Sequence, residues 1–271
     1  MTQPHTGQNR SSQLPPPARD HYLGLHGANT MGTRAVAETE DRIRKARKHK
    51  AIVAIHGNVG LGKTFAVHTV LRRHNPDTTY RLRFRQSPNM SELRGGIWRA
   101  LDLPGDTPQS ADESGERIKQ ALEQIPDAVL LLDEVQWLSK TALEYIRDLW
   151  GDDEQRAAVV LVGSGNTRQK ILSCPALHSR ILDWYQFAPL TPAEVLATIP
   201  AYHSIWSGSD PELILYTDDH AGHGSFRSWA KLTLHLTDAL EENPTHTLTK
   251  DLVRWAFSRL DSSSRLPPPH H

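Results

Sequence analysis

The sequence predicts an α/β fold, a five-stranded parallel sheet with helices on both faces followed by a small C-terminal helical lid, and three stretches carry that prediction. The first is Gly57-Asn58-Val59-Gly60-Leu61-Gly62-Lys63-Thr64, which fits the phosphate-cradling spacing G-x-x-x-x-G-K-[ST]. An apolar run, Ala51 to Ile55, precedes it and an amphipathic stretch from Phe65 to Leu71 follows, so the motif sits in a strand-loop-helix context. The second is Ala128-Val129-Leu130-Leu131-Leu132-Asp133-Glu134, a buried strand ending in two carboxylates. The third is the change beyond Pro189, where alternating strands and helices give way to helices alone.

The residue types at these places suit one chemistry. Glycines let backbone N–H groups turn onto phosphate oxygens, and the helix N-terminus behind the loop adds its positive dipole end. Lys63 would reach the β and γ phosphates and Thr64 would hold Mg²⁺, with Phe65 continuing the nucleotide-binding stretch. An acid ending a strand beside such a loop can hold the Mg²⁺ shell, and an adjacent one can polarise the attacking water. Asp133 takes the first role and Glu134 the second.

Composition narrows the class. Among 271 residues no apolar run approaches the ~18 needed for a membrane helix. The N-terminus lacks the charged and apolar regions of a signal peptide. A single cysteine, Cys174, excludes an internal disulfide and a cysteine metal cluster, so the expected location is the cytoplasm. None of the fifteen histidines lies in H-E-x-x-H, and His220 and His223 read as solvated turn residues. Net charge is zero, yet Arg34 to Arg99 carries fifteen Lys/Arg against five Asp/Glu, while Leu101 to Glu154 carries four against fourteen. That asymmetry fits a basic nucleic-acid face beside an acidic flank, or complementary surfaces for head-to-tail assembly.

In chain order, residues 1–30 are expected as a disordered or extended tail containing Leu14-Pro15-Pro16-Pro17, and 261–271 repeat a Leu-Pro-Pro-Pro run. A basic helix from Arg34 to Lys50 leads into the first strand; DNA phosphates and solvent suit its cations equally well. Thr78 to Arg85 alternates apolar residues with Arg81, Arg83 and Arg85, which therefore share a face of an edge strand or line a functional surface. Then follow a helix from Ser91 to Leu101 capped by Ser91, an acidic loop from Pro104 to Glu113, and a short helix from Glu116 to Gln124. After the carboxylate strand come a helix with Leu138, Leu143, Ile146 and Leu149 on one side, and a buried strand from Ala157 to Gly163. At that strand's end Asn166, with Ser164 second, would hydrogen-bond the attacking water or the γ phosphate. Pro175 to Arg180 reads as a short helix and Trp184 to Phe187 as the last strand. Four helices follow, Thr191–Ser204, Asp210–Thr217, Ser225–Leu240 and Thr249–Leu260.

These motifs resemble those of the AAA+ ATPases, P-loop NTPases of the ASCE type, and within them the Mu-B/TnsC/TniB transposition regulators of the initiator-like clade. The resemblance spans Arg34 to Leu260 and implies a nucleotide-binding domain over 31–189, a lid over 190–260, and ATP with Mg²⁺ as cofactors. Val162-Gly163-Ser164-Gly165-Asn166 looks like the sensor-1 strand end, and Gly224-Ser225-Phe226-Arg227 like the sensor-2 G-x-x-R. His178-Ser179-Arg180 stands where the family places its arginine finger. By resemblance, Arg180 reaches the neighbouring subunit's nucleotide, with Arg168 as its rival, and Arg227 contacts the phosphates of its own subunit. The resemblance also implies slow, assembly-dependent hydrolysis and head-to-tail rings or filaments on duplex DNA, through the region holding Arg81, Arg83, Arg85, Arg94 and Arg99. A transposase is the implied partner, with no membrane. The competing expectation is a protein-remodelling or signalling P-loop ATPase, of secretion-associated or STAND type, without DNA.

Overall fold

The computed structural model describes residues 14, 21–74, 76–84, 86–151, 157–242 and 247–260. Among these, one compact unit contains Glu38–His56 and Val67–Gln186; a second contains 21–37, Gly57–Ala66 and 187–260.

The first unit is built on the predicted sheet. Its strands are β1 (Ile52–Gly57), β2 (Thr79–Arg83), β3 (Val129–Asp133), β4 (Ala158–Gly163) and β5 (Ile181–Phe187), in the order β2-β3-β4-β1-β5. Every residue of β3 and β4 is buried, as continuous Val/Leu/Ala runs in a parallel sheet require. β2 lies at an edge and pairs in parallel with β3, and the face that carries its arginines grades from buried Thr79 through half-buried Arg81 to exposed Arg83. The register sets Arg81 against Leu131 and Arg83 against Asp133.

The helices of this unit include most of α1 (Arg34–His49) and of α2 (Lys63–His74), with α3 (Met90–Ala100), α4 (Ala111–Gln124), α5 (Lys140–Trp150), α6 (Thr167–Leu172) and α7 (Pro175–His178). Three differ from the sequence reading. The cap of α3 is Asn89, not Ser91: its side chain accepts from the Glu92 N–H at 2.9 Å while the Glu92 carboxylate accepts from the Asn89 N–H at 2.8 Å. That reciprocal box satisfies two N–H groups where Ser91 would satisfy one. α4 starts at Ala111 behind Ser110, so the acidic loop is shorter than expected; Asp112 and Glu113 occupy a first turn where negative charge is favoured. α6 falls in a stretch to which the sequence reading assigns no element, because six residues give no periodicity to see.

The second unit contains α8 (Pro192–Tyr202), α9 (Pro211–Thr217), α10 (Phe226–Glu242) and α11 (Lys250–Leu260), close to the four predicted lid helices. Its core is Trp206 against Trp229, ring centroids 5.0 Å apart and edge to face, and the Trp206 indole donates to Thr233 Oγ1 at 2.9 Å. Residues 21–30, expected as tail, pack on this bundle instead. Leu25 is buried with Tyr202 and Ala230, and the Asn29 main chain and side chain donate to the carbonyls of Tyr202 and Ala201, both at 2.8 Å. Both Leu-Pro-Pro-Pro runs lie outside the described residues, apart from Leu14. His220 lies in a π-helical turn, Asp218–Gly222, with its ring stacked on Phe257. Among the described residues no cluster of three His, Cys, Asp or Glu side chains could hold a metal ion, and no helix is long and apolar enough to cross a membrane.

Candidate nucleotide site

The P-loop leaves β1 through Gly57, whose φ of 142° and distance of 2.6 Å from an added Cβ to the Phe187 carbonyl oxygen admit only glycine. Gly60 and Gly62 also turn at positive φ, 89° and 90°. Lys63 opens α2, is 7% exposed, and curls back so that Nζ donates to the carbonyls of Gly57 at 2.9 Å and Asn58 at 2.7 Å. Leu61 is buried, Val59 is exposed, and Thr64 and Phe65 are half-buried, the Phe65 ring 5.1 Å from that of His21.

The second unit holds both this loop, Gly57–Ala66, and the G-x-x-R segment, which pack together. The Arg227 N–H donates to the Gly60 carbonyl at 3.1 Å and the Ser225 hydroxyl to the same oxygen at 3.3 Å. Gly224 turns at φ 63°, its N–H held by Asp218 Oδ1 at 2.8 Å, and that oxygen also accepts the Trp229 indole N–H at 2.9 Å. The spacing from Gly224 to Arg227 therefore encodes a turn that starts α10 against the loop.

In the first unit, Asp133 is buried and accepts from Arg81 at 2.7 Å. Arg81 and Asp133 are diagonal neighbours across β2 and β3, on one sheet face. Glu134 follows with a left-handed backbone, φ 66° and ψ 44°, a conformation costing a non-glycine residue about 1–3 kcal/mol. Gln136 donates to its carboxylate. The Gln136 oxygen accepts the Ser164 N–H at 3.0 Å and faces the Thr167 hydroxyl at 3.3 Å. Gln136 went unremarked in the sequence; its position two residues past an acid pair was the only signal.

The remaining expected site residues are more dispersed. Asn166 is exposed and begins α6 without a side-chain cap bond, whereas Ser164 is buried within the Gln136 network. Arg180 is exposed just beyond α7, near Ser179, and the Arg168 guanidinium lies 5.9 Å from the Trp184 ring. Of the five expected DNA contacts, Arg83 and Arg99 are exposed, while Arg81 is engaged with Asp133 and so is not simply part of an open patch. Arg94 is half-buried beside Tyr145, whose hydroxyl is pushed up to about 12 by burial against the pull of Arg94. Arg85 lies outside the described residues. Arg81, Arg83 and Arg99 line one groove of about 350 Å³, with Pro88, Glu92 and Gly96.

Thr64 in the P-loop and Asp133 at the end of β3 each carry an oxygen of the hard kind that Mg²⁺ takes. At the turns of the cradle Gly57, Gly60 and Gly62 all adopt positive φ, backbone geometry from which loop N–H groups can face phosphate oxygens.

The sheet order and the P-loop are those of the AAA+ fold. Consistent with that, residues 45–171 match the family model described as an AAA domain. Solved structures share the architecture at low identity. Cdc6p from Pyrobaculum aerophilum is similar at 14% identity with a TM-score of 0.69, over 87% of this chain and 69% of that one. The ADP form of the ORC2 protein of Aeropyrum pernix is similar at 18% and 0.67, over 86% and 70%. The ORC1 protein of Aeropyrum pernix, in complex with DNA, is similar at 16% and 0.65, over 88% and 67%. No curated protein matches the chain in sequence.

Proposed function

We propose that this chain binds ATP·Mg²⁺, assembles head to tail with copies of itself on duplex DNA, and regulates transposition by acting on a transposase and its choice of target. The observation that carries the DNA reading is the edge-strand groove, where the exposed Arg83 and Arg99 stand beside Arg81 on a surface able to meet phosphates without reading bases. Two similar structures, the ORC1 protein of Aeropyrum pernix and Drosophila ORC, were solved with DNA, which supports the same reading. The transposition role rests on the likeness of the P-loop, Asp133-Glu134 and Gly224-Ser225-Phe226-Arg227 to the regulators of that process.

In this reading Lys63 and the loop N–H groups hold the β and γ phosphates. Mg²⁺, held through Thr64 and Asp133, would neutralise charge on those oxygens. Glu134 takes a proton from the attacking water and Asn166 orients that water. Arg227 contacts the phosphates bound in its own subunit. Arg180 completes a neighbour's site, so hydrolysis follows assembly; an arginine supplied in trans contributes roughly 10³ to 10⁵ in rate. A protein-remodelling ATPase without DNA is the second reading, favoured by the engagement of Arg81 with Asp133 and the half-burial of Arg94, which shrink the basic patch.

Electron microscopy of the protein with duplex DNA, with and without ATP, tests the proposal. Rings or filaments on DNA that need ATP are expected, with none from Lys63→Ala and stable ones from Glu134→Gln. ATP-dependent assemblies that ignore DNA would select the second reading, and no ATP-dependent assembly would defeat both.

A further inference from the structure

We infer that Gln136 is the positioning residue for Glu134, fixing the carboxylate that activates water and tying it to the end of β4; this rests on Glu134 being the base. Glu134 follows β3 in left-handed geometry, so local backbone preference does not hold its side chain where it is. Gln136, two residues on in a single 3₁₀ turn (Val135–Trp137), supplies the hold from its amide nitrogen to Glu134 Oε2.

The far end of Gln136 settles which way that amide faces. Its Oε1 lies 3.0 Å from the Ser164 N–H, a group that can only donate, and 3.3 Å from the Thr167 hydroxyl. That end must be the oxygen, so the NH₂ end meets the carboxylate as a donor. Thr167 is anchored in turn by donating to the Ser164 carbonyl at 2.8 Å. The packing leaves no slack: a Cβ on Gly163 would lie 2.2 Å from Thr167 Oγ1 and 2.7 Å from Gln136 Oε1. Glu134, Gln136, Ser164 and Thr167 form one chain of polar contacts spanning the ends of β3 and β4. A displacement of Ser164 is felt at the carboxylate. Ser164 thus serves the base through Gln136, whereas Asn166 beside it is exposed.

Gln136→Met keeps the length and volume of the side chain and removes both polar ends. In the full chain with DNA, kcat for ATP hydrolysis is expected to fall roughly ten- to hundredfold, the range for losing an oriented catalytic contact. ATP affinity, read with a fluorescent ATP analogue, is expected to stay within about twofold, which also reports that the variant is folded. Thr167→Val should lower kcat less, by roughly threefold, in the same direction. Turnover by Gln136→Met within twofold of the parent, with Glu134→Gln inactive, overturns the positioning role alone. Full turnover by Glu134→Gln removes the base on which it rests.

Discussion

The Gly60 carbonyl oxygen accepts the Arg227 main-chain N–H at 3.1 Å and the Ser225 hydroxyl at 3.3 Å. A loop that offers N–H groups to an anion must turn its carbonyls elsewhere, because their oxygens would repel phosphate. Here the start of α10 takes one carbonyl, and Lys63 Nζ takes those of Gly57 and Asn58.

Gly60→Ala should damage this arrangement. Its Cβ would stand 2.9 Å from Ser225 Oγ and 3.0 Å from Arg227 Cβ, at a φ of 89° that alanine resists. A loss of about 1–3 kcal/mol in unfolding free energy is expected, with weaker ATP binding. Urea titration and a fluorescent ATP analogue measure the two; an unchanged variant would mean that the contact is dispensable.

The strand arginines should separate by role. Arg81→Met removes a charged partner of the buried Asp133 carboxylate and should cost about 3 kcal/mol of stability. Replacing Arg83 and Arg99 with alanine should leave stability within about 0.5 kcal/mol. That double variant should also flatten the salt dependence of DNA binding by about two in log-log slope. Equal effects of both changes on DNA binding would return Arg81 to the DNA face.

Asp218→Ala strips the acceptor from the Gly224 N–H and the Trp229 indole, and should destabilise the protein by about 2–3 kcal/mol. Asp218→Asn keeps an oxygen there and should cost less. Thermal unfolding with and without ADP distinguishes global loss from misplacement of Arg227, which would lower the gain from nucleotide.

Acid sensitivity should trace in part to His235 on α10. Burial lowers its affinity for a proton below the ordinary 6.5, with Arg259 and Lys231 acting in the same sense and Asp238 opposing. The unfolded chain therefore binds more protons, so stability is full above about pH 6.5 and declines as pH falls through the folded value. His235→Gln should flatten unfolding free energy between about pH 7 and 5, and an identical slope in the variant would assign the titration elsewhere.

What the sequence revealed follows from the range of the forces involved. Apolar runs expose β1, β3 and β4 because parallel strands are buried on both faces, and the glycine spacing of the P-loop is local. Of the two readings that the alternation through Arg81 and Arg83 allows, an edge strand or a functional surface, the sheet order bears out the edge. The alternation was silent on Asp133 as the diagonal neighbour of Arg81, since register across strands is not written in either strand alone. Gln136 was hidden for the same reason: its partner Ser164 is 28 residues away. The 21–30 segment misled because its few apolar residues, Leu25 foremost, find their partners near Tyr202.

The seating of Gly60 under Ser225 and Arg227 also bears on engineering and descent. Phosphate loops are commonly treated as portable cassettes, and C-terminal bundles as modules to be exchanged between related motors. In this chain one bare Cα at position 60 is matched to the side chains at 225 and 227, so a chimera taking its loop and its bundle from different parents would inherit a mismatch. Substitutions at those three positions should arise together across a lineage, and a recombination breakpoint that keeps them on one parent should yield a functional hybrid more often than one that parts them.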